Sequence, residues 1–212
     1  GVEQDPQRLL RFETLLSVLQ EYCDPDLRLL RVLDRTVPPN PNHQVCAGLL
    51  HDCGWHHVTC NFDTLIELAA ENGAKHAFST LVRTADFERW CDGQPALAKI
   101  HGSFRDAACR GALSTIRATL TTVGRGLDGF RFEYHMRRFL SHALCGCPVL
   151  VVGYSGSDDF DLSPFLCRSP SDADIIWISH DEGGQAVFSD LTSAPIEPGL
   201  RSLLQKLAKV RS

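Results

Sequence analysis

Leu9, Leu10, Phe12, Leu15, Leu16, Val18 and Leu19 recur at helical spacing, which predicts an amphipathic helix over residues 6–22. Asp5 stands at its N-cap position and Pro6 at its first turn. Asp24 and Pro25 predict the start of a second helix reaching Thr36. Pro38 to Pro41 reads as a loop, and His43 to His51 as a third helix stopped by Gly54. The pattern then changes. Short apolar runs at His56–Cys60, Ala77–Leu81, Leu97–His101, Pro148–Gly153 and Asp174–Ser179 read as strands. Helical patterns lie between and around them, at Asp63–Asn72, Ala85–Cys91, Ala112–Val123, Gly129–Leu144, a short segment before Asp174, and Pro198–Arg211. Strands alternating with helices predict an α/β fold: a Rossmann-like, doubly wound, mostly parallel sheet with helices on both faces. The first strand follows about fifty residues of helix and loop, whereas α/β sheets of this type usually open on a strand. The chain thus reads as a single domain, 1–212, with a helical prelude at 1–55, a motif-bearing α/β core at 56–182 and a C-terminal helical segment at 183–212.

Composition narrows the function classes. With 212 residues, 43% of them hydrophobic and 22% charged, the chain has the make-up of an ordinary globular protein. A formal net charge of −5 argues against a nucleic-acid or anionic-membrane surface. No apolar run approaches the roughly 18 residues of a membrane span. The nine cysteines are odd in number and irregularly spaced, without a C-x-x-C pair. They fit reduced thiols in a cytoplasmic protein better than a disulfide framework or a four-cysteine zinc ribbon.

Several strands finish in chemistry-bearing residues. Val58-Thr59-Cys60-Asn61-Phe62-Asp63 runs into Thr64-Leu65-Ile66-Glu67. Leu97 to Ile100 precedes His101-Gly102-Ser103, and Val149 to Val152 precedes Gly153-Tyr154-Ser155-Gly156-Ser157-Asp158. Ile175 to Ile178 precedes Ser179-His180-Asp181. Open parallel sheets bind ligands at the carboxyl ends of their strands, so these four ends are the candidate site. The residues also have plainer readings. Asn61 and Asp63 are good helix caps, a strand-end histidine such as His101 is often structural, and Asp158, Asp159 and Asp161 suit a solvated acidic turn better than a metal site.

Three further patterns carry less. Gly124 to Gly129 spells G-x-G-x-x-G, but a helical pattern precedes it where the dinucleotide fingerprint needs a strand. Gly153-Tyr154-Ser155-Gly156-Ser157 falls one glycine short of the hydrolase elbow, and little chain follows for its partners. His51, Cys53, His56 and His57 have the right types for zinc, yet Gly54 and the turn into a strand point them apart.

Together, Thr59-Cys60-Asn61-Phe62-Asp63, Lys99-Ile100-His101-Gly102-Ser103 and Val151 to Asp161 resemble the sirtuin superfamily, and within it the zinc-free, sirtuin-like domains of bacterial anti-phage defence proteins. The motifs stand in the family's order across roughly residues 36 to 182. The resemblance implies a domain that binds NAD and hydrolyses it to ADP-ribose and nicotinamide. It implies activation by a homo-oligomer or a partner domain, and no metal. It assigns catalysis to Asn61 and His101, and NAD binding to Asp63, Thr59, Gly153, Tyr154, Ser155 and His180. Two departures bear on this. Protein-deacylating sirtuins carry a zinc ribbon after the His-Gly pair, whereas Ser103 to Cys147 holds only Cys109, Cys145 and Cys147, which favours NAD hydrolysis over deacylation. The family also opens on a strand and a Gly-Ala-Gly loop. None precedes Asn61 here, and the expectation is that this segment lies upstream of Gly1 in the natural protein. The rival readings are a catalytically silent nucleotide-sensing scaffold and, behind it, a protein deacylase or ADP-ribosyltransferase.

The chemistry itself suits these residues. Nicotinamide leaves NAD as a neutral group through an oxocarbenium-like state, so no strong acid is required. The protein must orient the ribose and direct a nucleophile. A carboxamide such as that of Asn61 can position a water or a ribose hydroxyl. An imidazole such as that of His101 can take its proton near neutral pH.

Overall fold

The computed structural model describes residues 12–33, 37–71, 78–104, 115–116, 133–144, 148–154, 162, 165–166 and 175–178. The chain falls into two compact units, Gly1–Arg125 and Gly126–Ser212. Every described strand pair is parallel, and helices alternate with the strands, so the fold is α/β and Rossmann-like.

The first unit opens with helix α1, Phe12–Tyr22. A 3-10 segment, Arg28–Leu33, follows in place of the expected α-helix. The backbone explains the difference. Leu27 adopts a positive φ of 50°, which interrupts helical propagation, and Leu27 is buried nonetheless. Asp24 Oδ2 then accepts the Leu29 N–H at 2.8 Å. Backbone N–H groups of Leu29 and Arg28 hold the Asp24 carboxyl below its ordinary range.

Helix α2 spans Pro41–His51, two residues longer at its start than the sequence pattern predicts. Pro41 belongs to the helix, because a first-turn proline lacks only an N–H that would be unpaired anyway. Asn40 is the N-cap. Its Oδ1 accepts the His43 N–H, and His43 Nδ1 accepts the Asn40 N–H, each at 3.1 Å.

Strand β1 is His57–Thr59, α3 Leu65–Glu71, β2 Ser79–Leu81, α4 Thr84–Arg89 and β3 Ala96–Lys99. The sheet order is β1-β3-β2, so the last strand made lies in the middle. Its residues Ala96, Leu97, Ala98 and Lys99 are all buried, as the centre of a parallel sheet requires. The strand predicted at Leu97–His101 therefore starts and stops earlier than expected. Gly102, at φ 95°, turns the chain, and its N–H bonds back to the Lys99 carbonyl at 3.1 Å.

A second cluster lies beyond the sheet. Leu16, Leu27 and Leu30 pack with Phe104 and Ile116, and Leu19 and Phe62 close against them. The predicted helix at 112–123 is described only at Thr115 and Ile116, and Ile116 is not helical there. Thr115 Oγ1 accepts the Ser103 N–H at 3.2 Å and donates to the Ser103 carbonyl at 3.1 Å.

In the second unit, helix α5 is Tyr134–Ala143, and its Met136, Phe139 and Leu140 are buried. Strands β4, Val149–Val152, and β5, Ile175–Ile178, form a parallel pair. Leu162, Phe165 and Leu166 are helical, in the interval where a short helix is expected. The predicted C-terminal helix at 198–211 lies outside the described residues.

Candidate functional site

The geometry is set by one register. In the ladder between β1 and β3, Thr59 stands opposite Lys99. The ladder gains one more bond as the Ile100 N–H reaches the Thr59 carbonyl at 3.2 Å. Asn61 and His101 each lie two residues past this pair. They therefore leave neighbouring parallel strands at the same, carboxyl, end, where strands of this kind are spaced about 4.8 Å apart.

The Asn61 loop is fixed on three sides. The Thr59 hydroxyl accepts the Asn61 N–H at 3.1 Å, leaving its own proton to donate elsewhere. Phe62 is anchored in the Leu16–Phe104 cluster, with its ring centroid 5.5 Å from that of Phe104 and 6.4 Å from that of His101. Its carbonyl accepts the Phe104 N–H at 2.9 Å, which ties the Asn61 loop to the His101 loop directly. Asp63 Oδ1 accepts the Leu65 N–H at 3.0 Å at the start of α3. The Asp63 side chain thus holds the entry to α3, one residue before Thr64, whose carbonyl accepts the Leu68 N–H at 3.0 Å. Asn61 itself is exposed, and His101 is half-buried.

Two side chains that the motifs leave without a role belong here. Lys99 is fully buried, and its Nζ donates to the Asp63 carbonyl and, at 2.9 Å, to Glu67 Oε1. A lysine inside an otherwise apolar strand is the signal for it in the sequence. For Phe62 the signal is an aromatic residue set between Asn61 and Asp63.

Of the remaining site residues, Gly153 and Tyr154 follow β4 in the second unit. Gly153 has φ 65°, with open space where a Cβ would stand. The Tyr154 ring lies 5.8 Å from Trp177 of β5, a partner that the sequence pattern does not reveal. Ser155 and His180 lie outside the described residues, as do Asp158, Asp159, Asp161 and Gly124 to Gly129. Among the described residues, no group of three or more His, Cys, Asp or Glu side chains is placed to hold a metal ion. His51 instead contacts Asp52 at 2.9 Å, and His56 meets Trp90 edge-on at 5.7 Å. Cys23, Cys46, Cys53, Cys60 and Cys91 are not in disulfides. No described helix is long and apolar enough to cross a membrane.

Parallel strands with helices between them and loops at their carboxyl ends define an α/β domain of the Rossmann-like class. The family model for the SIR2-like domain matches residues 56–171, more than half of the chain, and the chain belongs to that family. A comparison with curated proteins finds no match. SIR2-like domains bind NAD, and the family includes NAD-dependent enzymes.

Proposed function

We propose that this domain binds NAD and hydrolyses it to ADP-ribose and nicotinamide. The observation that carries the reading is the placement of Asn61 and His101, each two residues past the Thr59–Lys99 pair on adjacent parallel strands. In this scheme Asn61 orients the attacking water or ribose hydroxyl, and His101 accepts its proton as the nicotinamide bond opens. Asp63 on that loop and Thr59 at the end of β1 serve the ribose. Gly153, Tyr154, Ser155 and His180 serve the rest of the dinucleotide. The wider role is that of a cytoplasmic bacterial defence effector that depletes NAD and is switched on by self-association or a partner domain.

The test is nicotinamide release from NAD by the chain, alone and in the context of its full gene product. Asn61→Ala and His101→Ala are run alongside. Release that disappears in both variants supports the hydrolase. Silence in every form overturns it and leaves a nucleotide-sensing or scaffolding domain.

A further inference from the structure

The proposed reaction needs Asn61 and His101 held at one spacing, although they stand on different loops. One side chain touches the foundations of both. Lys99 ends β3 two residues before His101, and it is 0% exposed. Its Nζ donates to the backbone carbonyl of Asp63, which closes the Asn61 loop, and to Glu67 Oε1 at 2.9 Å on the first turn of α3. The pair joins segments more than thirty residues apart in sequence. Glu67 keeps some solvent contact, with a side chain 20% exposed, while Lys99 has none.

Stability alone is a poor explanation for this arrangement. Taking an ammonium fully out of water is costly, and apolar residues of similar volume commonly replace a buried ion pair without loss of stability. What an apolar residue cannot do is hold a particular carbonyl in a particular place. An ammonium has three donors and no acceptor, so it fixes oxygen atoms and nothing else.

We infer that Lys99, partnered by Glu67, is a positioning residue that clamps the Asn61-Phe62-Asp63 loop to the strand delivering His101. It touches no substrate. Its kinetic consequence rests on the hydrolase reading, whereas the clamp itself does not. Without it the loop keeps the Thr59–Asn61 and Phe62–Phe104 hydrogen bonds, so the fold persists while the approach to α3 loosens.

The test compares the full chain with the double variant Lys99→Met, Glu67→Leu and with Glu67→Gln. Urea unfolding, amide exchange and the kcat and KM for nicotinamide release are measured on each. In the double variant the unfolding midpoint is retained. The amides of residues 61–65 exchange about tenfold faster, while those of Leu97 and Ala98 are unchanged. In the same variant kcat falls by about tenfold or more with KM nearly constant, the mark of lost transition-state alignment. Glu67→Gln moves both readouts in the same direction by a smaller factor. Unchanged exchange at 61–65, or acceleration spread evenly through the unit, overturns the clamp. If the double variant does not fold, Glu67→Gln decides by the same two readouts. If the wild-type chain and full gene product release no nicotinamide, the hydrolase reading fails, and the exchange pattern still decides the clamp.

Discussion

Phe62 and Phe104 hold the two loops of the site together through both backbone and side chain. The Phe104 N–H donates to the Phe62 carbonyl at 2.9 Å, and the rings meet with centroids 5.5 Å apart. The residues that carry polar chemistry are thus mounted on an apolar hinge pin. Asn61 precedes one ring by a single residue, and His101 precedes the other by three.

Gly102 and Gly153 both have positive φ, but they respond differently to substitution. A Cβ at Gly102 falls against the Thr115 carbonyl and 2.9 Å from Ile116 Cα, all of it backbone. Gly102→Ala adds overpacking to left-handed strain, for a loss of roughly 2–5 kcal/mol. Gly153→Ala meets open space and costs only the strain, roughly 1–2 kcal/mol. Urea titration of the two variants gives this order. If Gly153 admits the dinucleotide backbone, its variant also loses NAD affinity out of proportion to stability.

Asp63 separates a cap from a ligand. Asp63→Ala removes the acceptor of the Leu65 N–H and costs about 1 kcal/mol. Asp63→Asn keeps an acceptor and folds with nearly wild-type stability. A weaker binding of NAD by the Asn variant, measured by calorimetry, would assign the carboxylate charge to the ribose. Unchanged binding would leave Asp63 only the Leu65 N–H at the entry to α3.

Burial pushes the His57 imidazole down to about 4 from an ordinary 6.5. The folded state therefore keeps His57 neutral where the unfolded chain is already taking up a proton. Above pH 6.5 this group takes nothing from stability. As the pH falls toward 4 the protein loses roughly 2–3 kcal/mol through it. Unfolding midpoints measured across this window show the decline, and His57→Gln flattens it.

Tyr154 and Trp177 provide a check confined to the second unit. Tyr154 lies two residues past β4 and Trp177 within β5, with their rings 5.8 Å apart. A double-mutant cycle with Tyr154→Leu and Trp177→Leu gives a coupling of about 0.5–1.5 kcal/mol. A coupling near zero would remove the ring pair as the reason for the Tyr154 orientation.

Strands β1, β3 and β4 are legible as short apolar runs, although the reading carries each one or two residues past its observed end, to Cys60, His101 and Gly153. The family motifs bring Asn61 and His101 to attention. Other features are not local. Nothing in the order of residues announces that Leu27 takes a left-handed conformation, or that the Thr115 hydroxyl bonds to the Ser103 backbone. The Lys99–Glu67 pair depends on which strand becomes the central one, and short-range pattern does not reveal that. Asn40 and Pro41 differ for a simpler reason, because proline reads as a breaker in a loop-like run where it serves as a helix start.

The strand order β1-β3-β2 has a consequence for biosynthesis. β1 leaves the ribosome well before the strand that will pair with it, and β2 follows it without pairing to it either. Until β3 inserts between them, β1 lacks the strand it pairs with among the described residues, and the Asp63 carbonyl has no Lys99 to grip it. A nascent chain that has reached the end of α4 carries half of the proposed chemistry on a loop held only by its local bonds and by Phe62 packing against the Leu16 cluster. Insertion of the central strand completes the sheet and brings the second half with it. In the proposed scheme, toxicity through loss of NAD has to wait for the polypeptide to pass His101.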